Sequence, residues 1–186
     1  AMFNELRRLD EWTIPNPLEN VREFKISESE MAYLTIEEIR TLLAECENSR
    51  FKDLTTIVKI SLATGARWSE AEGLKGNQIC AGQIIYVKTK GKKNLAVPIT
   101  EKLHANLQSS RKAQVLFKLC YLAFGKVMQR AGIETPTGQL THVLRHIFAS
   151  HFMMNGGNIL VLQQILGHTD IKVTMRYAHF TLDNFF

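Results

Sequence analysis

Apolar residues recur along this chain at two different periods, and the switch between them outlines the fold. Ile36, Ile39, Leu42, Leu43 and Cys46 follow a three-and-four spacing behind a Thr35-x-x-Glu38 capping box, which predicts an amphipathic helix. The same period predicts a second helix over 54–63, ended near Gly65, and a short third over 68–74. The pattern then changes: 83–88 and 94–98 are rich in β-formers and flank Lys90-Gly91-Lys92-Lys93, which predicts one hairpin with a basic tip. Helical spacing returns over 101–109, 116–131, 141–155, 158–166 and 170–182, with Gly156-Gly157 breaking the run and Gly167 placed as a helix-ending glycine. The predicted fold class is mainly α with a small antiparallel β-hairpin or sheet.

The first thirty residues differ. Phe3, Leu6 and Leu9 allow one or two helical turns, after which Ile14-Pro15-Asn16-Pro17 enforces an extended stretch and 19–31 is charged and weakly periodic. A lone short helix is marginal in water. Residues 1–30 are therefore expected to be a remnant of an upstream domain with its linker, and 31–186 the principal domain.

Composition narrows the classes. At 186 residues with 45% hydrophobic content, the chain can bury one substantial core. No apolar run reaches the roughly 20 residues of a bilayer span, so no membrane partner is expected. Cys46, Cys80 and Cys120 are odd in number, far apart and without C-x-x-C spacing, which reads as reduced thiols in a cytoplasmic setting. A net charge of +5 permits a polyanionic partner.

Candidate chemistry concentrates late in the chain. His142 and Arg145 lie three apart on a predicted helix and share a face, with Val143, Leu144, Ile147 and Phe148 left to anchor that helix. Taken singly, Arg145 reads as a cap for a neighbouring helix or a partner for a core carboxylate, and a phosphate oxygen would serve it equally. Arg67 falls at a glycine-marked helix junction, with Glu70 three residues on able to orient it or cap the local helix. Lys88, Lys90, Lys92 and Lys93 read as a solvated turn or as phosphate contacts, and composition does not choose among them. Tyr177 follows His168 by nine residues; ordinarily such a tyrosine packs with its hydroxyl bonded, and as a nucleophile it needs cations nearby because its unperturbed pKa is near 10. His142, His146 and His151 stand at spacings that a metal site uses, but no H-E-x-x-H or carboxylate at ligand spacing accompanies them, so no metal is expected. Gly65 and Gly156-Gly157 form no phosphate-binding loop, so no nucleotide cofactor is expected either.

Taken together, ATGARWSE, TKGKKNLAVP, HVLRH, LGH and MRYAHF resemble the catalytic domain of the tyrosine recombinases (phage integrases), over about residues 34–180. The wording from His142 to Asp170 is similar to integrases of P2-like temperate phages. The resemblance implies that Arg67 and Arg145 are the two catalytic arginines, His142 the first histidine of H-x-x-R, His168 the later His/Trp position and Tyr177 the nucleophile. It matches the hairpin lysine to Lys90, with Lys92 as runner-up and Lys88, Lys92 and Lys93 as contacts to the DNA backbone. It further implies a site-specific recombinase that cleaves and rejoins double-stranded attachment-site DNA through a 3′-phosphotyrosyl intermediate, without metal or ATP, integrating phage or mobile-element DNA into a host chromosome. In that mechanism the arginines and His168 hold phosphate oxygens, His142 assists proton removal and positioning, and Lys90 protonates the leaving oxygen. A homotetramer on DNA, a host DNA-bending protein and an excisionase are the implied partners, with the host nucleoid as location. Relatives also carry an N-terminal DNA clamp and a tail beyond the tyrosine that docks on a neighbour. Two other readings stay open: strand relaxation like that of a type IB topoisomerase, and a non-catalytic DNA-binding module of the same fold.

Overall fold

The computed structural model describes residues 2–14, 33–87, 94–108, 114–135 and 139–184. The chain divides into two compact units, 1–31 and 32–186. In the first, α1 (Met2–Arg8) is a two-turn helix, and the chain just beyond it brings the Trp12 ring to 5.0 Å from that of Phe3. The expected short helix is present. No helix among the described residues is long and apolar enough to cross a membrane.

The second unit opens on α2 (Ile36–Glu47). Its capping box is complete: the Thr35 hydroxyl accepts from the Glu38 amide at 3.2 Å, and the Glu38 carboxylate accepts from the Thr35 amide at 2.7 Å. Leu42 and Cys46 enter the core, whereas Ile36 stays exposed. Helix α3 (Lys52–Thr64) buries Leu54, Ile57, Val58 and Ile60, each contributing roughly 1.5–3 kcal/mol relative to exposure. It ends at Gly65 in a left-handed conformation, φ +67°. A Cβ there would sit 2.5 Å from the Phe148 ring, so both backbone and space require glycine.

Helix α4 (Trp68–Glu72) is shorter than the periodicity predicts. Buried Glu72 reaches across and accepts from the Cys120 amide at 2.6 Å, fixing the start of a later helix at Tyr121. The helix expected from 116 accordingly begins only at Tyr121. The residues before it give their amides to distant acceptors instead: Leu116 N–H to Leu74 O at 3.0 Å, and Lys118 N–H to the Asp53 carboxylate at 3.0 Å.

The sheet has three antiparallel strands in sequence order, β1 (Ile79–Cys80), β2 (Gln83–Tyr86) and β3 (Leu95–Pro98). The expected hairpin is β2–β3, with Ile84 opposite Val97 and Tyr86 opposite Leu95. Its basic tip, Lys88 to Lys93, lies outside the described residues. Strand β1 was not legible in the sequence: it is two residues long, and its turn uses Ala81 at φ +44° before Gly82 at φ +75°, where alanine carries no turn signal. Buried Tyr86 ties the sheet to the end of α3. The Thr64 hydroxyl spends its one hydrogen on Ile60 O at 2.7 Å, so the Tyr86 hydroxyl donates to Thr64 Oγ1 at 3.0 Å.

Helices α5 (Glu101–Gln108) and α6 (Tyr121–Arg130) follow, and Phe124 of α6 stacks on Trp68 at 4.8 Å. Helix α7 (His142–Met154) packs along α3, burying Val143, Leu144 and Ile147. Helix α8 (Ile159–Leu166) starts at Asn158, whose side chain accepts from Leu160 and Val161, and ends at left-handed Gly167. The single helix expected over 170–182 is in fact α9 (Ile171–Met175), a turn, and a 3₁₀ segment (Ala178–Asn184). Bonds from Tyr177 N–H to Thr174 O and from Phe180 N–H to Tyr177 O tighten the chain to a three-residue repeat. That repeat sets Thr174, Tyr177 and Phe180 on one buried side, against which 3.6-residue winding would have drifted.

Candidate active site

The site is built where helix ends meet. Gly65 ends α3 and Leu166 ends α8, and each C-terminus presents carbonyls at the negative pole of its helix. Arg145, projecting from α7, donates Nη1 to Gly65 O at 2.8 Å and Nη2 to Leu166 O. A guanidinium only 6% exposed is held there with no salt bridge among the described residues; two carbonyl dipoles take the place of a carboxylate. The cap reading of Arg145 is thus correct, and among the described residues no carboxylate pairs with it directly, Glu70 acting on its charge only from a distance. Burial, then the neighbouring Arg67, push the Arg145 pKa down to about 10, which still leaves it protonated at neutral pH.

Arg67 stands at the N-cap of α4, immediately after the Gly65–Ala66 junction. Both roles considered for Glu70 occur together: its carboxylate accepts from the Arg67 amide at 2.8 Å and from Arg67 Nη1 at 3.1 Å. The Arg67 side chain remains 49% exposed. Arg67, His142 and Arg145 line a single cavity of about 270 Å³, together with Trp68, Ser69, Tyr121 and Thr141. Two guanidiniums facing one opening, with Arg67 disfavouring the charge on Arg145, make an anion the natural occupant.

His168 joins through Arg145, its Nε2 lying 3.3 Å from Nη2, while its Nδ1 is 2.9 Å from the Thr174 hydroxyl. It follows Gly167, whose φ of +65° turns the chain back toward α7. Tyr177 does not line the cavity. It is 3% exposed, and its hydroxyl lies 2.6 Å from Nδ1 of His146. Burial raises the Tyr177 phenol above its ordinary value, against the opposing pull of Arg145 and Arg176. His146 is driven the other way, down to about 4, by burial and then by Arg176, His142, Arg145 and His168.

The structure therefore brings Arg67, His142 and Arg145 to one cavity, attaches His168 to Arg145, and keeps Tyr177 beside them under cover. Lys90 and the neighbouring Lys88, Lys92 and Lys93 lie outside the described residues. The three histidines weighed as a metal set go separate ways: His142 to the cavity, His146 to Tyr177, and His151 to Leu34 O at 3.0 Å. Sequence reasoning missed two contacts. The spacing weighs His146 as a potential metal ligand and puts it close to His142 and Arg145, but gives no sign of its contact with Tyr177. Thr174 carries no signal at all, since its hydroxyl becomes a partner only through the fold.

A mainly helical domain with a small antiparallel sheet is the fold of the tyrosine recombinase catalytic domains. The chain belongs to the phage integrase family, whose model matches residues 32–183. It is 58% identical over 184 residues to the integrase of Escherichia phage 186, covering 99% of this chain and 54% of that protein. It is 57% identical over 180 residues to the integrase of Haemophilus phage HP1, covering 97% of this chain and 53% of that one. The chain thus spans about half the length of these relatives. Among solved structures, the catalytic domain of the HP1 integrase superposes with a TM-score of 0.76 at 58% identity, covering 81% of this chain and 89% of that one. A XerH site-specific recombinase, in a post-cleavage complex with its palindromic difH substrate, shares the fold at TM-score 0.73 and 22% identity, over 92% of this chain and 57% of that one.

Proposed function

We propose that this chain is the strand-cleaving and rejoining domain of a phage integrase, acting on double-stranded attachment-site DNA through a covalent tyrosyl link. The observation that carries this reading is the cavity shared by Arg67, His142 and Arg145, with His168 bonded to Arg145 and Tyr177 adjoining. In this reading the scissile phosphate enters the cavity and the two arginines hold its non-bridging oxygens, their planar forks suiting a charge spread over several atoms. His142 lines the same opening and positions the phosphate, and His168 donates to an oxygen while Thr174 orients its ring. Tyr177 attacks phosphorus, leaving a 3′-phosphotyrosyl bond and a 5′-hydroxyl whose proton comes from Lys90. The bond energy stays in the covalent link, so rejoining needs no ATP, metal or other cofactor. Residues 1–30 are read as the end of an upstream DNA-clamping domain and its linker, and 31–186 as the catalytic domain. Assembly as a homotetramer on paired sites, with a DNA-bending host protein and an excisionase, belongs to the same proposal, as does action at the host nucleoid.

Tyr177→Phe tests the reading on a pool of nicked duplexes with a randomised centre. The parent chain is expected to give an adduct with DNA that survives denaturing electrophoresis, and the variant none. An adduct that persists in Tyr177→Phe overturns the assignment.

A further inference from the structure

We infer that His146 is the base that receives the Tyr177 proton during attack, an assignment that rests on the strand-cleavage reading and deepens it. His146 Nδ1 lies 2.6 Å from the Tyr177 hydroxyl, and the two rings are 5.9 Å apart at a 40° tilt. The contact is sheltered, because Tyr177 is only 3% exposed and bulk water has little access to its phenol. A proton leaving that oxygen therefore needs an acceptor from the protein. His142 is ill placed to be that acceptor. It is exposed at the first residue of α7 and lines the anion cavity, and no described contact links it to the Tyr177 hydroxyl.

The neighbourhood keeps His146 in the form that can accept. The charged and titratable groups acting on it are Arg176 from the tyrosine segment, His142 and Arg145 from its own helix, and His168 from beyond α8. All are cationic or become so, and with burial they hold the imidazole neutral down to about pH 4. A neutral ring protonated on Nε2 offers Nδ1 as an acceptor, and the Tyr177 O–H donates to it. The resting pair stays neutral, since the phenol is itself raised by burial. Proton transfer becomes favourable only as the phenolic oxygen bonds to phosphorus and loses basicity. Because Arg145 and His146 are adjacent on α7, one helix supplies both a phosphate cation and the base.

The step balances. The Tyr177 oxygen–phosphorus bond forms, the bond from phosphorus to the 5′-oxygen breaks with its electron pair leaving on that oxygen, and the 5′-oxygen takes the proton of the general acid. The phenolic proton passes to His146 Nδ1. Rejoining reverses each move, and an imidazolium among cations returns its proton readily.

The test compares the parent chain with His146→Asn, which retains an acceptor near the Nδ1 position without basicity, and with His146→Ala. Adduct formation on the randomised nicked pool is timed from pH 6 to 8, with thermal melts run on all three. The parent rate is expected to be nearly flat. Both variants are expected to fall by about 10²-fold or more, with rates rising toward tenfold per pH unit as hydroxide replaces the base, and with added imidazole partly restoring His146→Ala. His146→Asn reacting within threefold of the parent on a flat profile overturns the assignment. So does a rate loss with unchanged slope, or one that merely tracks a lowered melting temperature. A parent chain that forms no Tyr177-dependent adduct defeats the cleavage reading itself, a result distinct from these.

Discussion

The anion cavity and the tyrosine segment are neighbours built on opposite plans. Around Arg145, two helix C-termini and a buried helix face converge, so the cation is fixed by the same contacts that hold α3, α7 and α8 together. Tyr177 instead lies between a five-residue helix and a 3₁₀ segment, its ring covered and its hydroxyl tied, among the described residues, to His146. The cavity proposed to seat the phosphate is part of the fold; the proposed nucleophile is an attachment to it. Substitutions in the first region should therefore damage stability and chemistry together, and those in the second should separate them.

Arg145→Ala is the strongest way to break that contrast. Removing the guanidinium leaves two buried carbonyls without a donor, at about 1–3 kcal/mol each, and is expected to abolish adduct formation while lowering chemical-denaturation stability by about 3–5 kcal/mol. Arg67→Gln makes the complementary case, since that side chain is half exposed and, among the described residues, bound to Glu70 alone. Its expected outcome is a rate loss of roughly 10²–10³ with stability changed by less than about 0.5 kcal/mol. Equal stability losses for the two would remove the distinction.

Gly65→Ala sharpens the contrast without touching a charge. The added Cβ meets the Phe148 ring and must adopt φ +67°, so a loss of about 2–3 kcal/mol is expected. Because Gly65 O is an acceptor for Arg145, adduct formation should fall as well. Full activity in a destabilised Gly65→Ala would show that the helix end need not hold that acceptor in place.

The smallest expected effect is on acid stability and belongs to the tyrosine side. His146 has its pKa lowered from 6.5 to about 4 in the fold, so between those values the unfolded chain binds more protons. Folded stability attributable to His146 is therefore unpenalised above pH 6.5, falls as pH drops toward 4, and is fully lost below it. Allowing for its partial exposure, the change is about 2 kcal/mol. It should show as the difference in denaturation free energy between the parent chain and His146→Asn, measured at pH 7 and pH 4.5. Parallel pH dependence in the two would mean that His146 is not held neutral by its surroundings.

Much of this molecule could be read directly. The capping box at Thr35, the glycine ends at Gly65 and Gly167, the β2–β3 hairpin and the buried face of α7 all follow from local rules linking side chain to backbone within a few residues. The candidate site residues, two arginines, two histidines and a tyrosine, were named in the sequence by a family resemblance, as motifs in chain order, and not by local rules. What the tertiary structure alone decided are relations between distant backbone segments. Amides at Leu116 and Lys118 found acceptors at Leu74 and Asp53, and so a predicted helix began late. Arg145 took its carbonyls from residues 80 and 21 positions away, and the Tyr177 hydroxyl went to His146 across 31. Those pairings exist only after helices pack, because hydrogen-bond geometry depends on where two elements meet and not on what either one encodes alone.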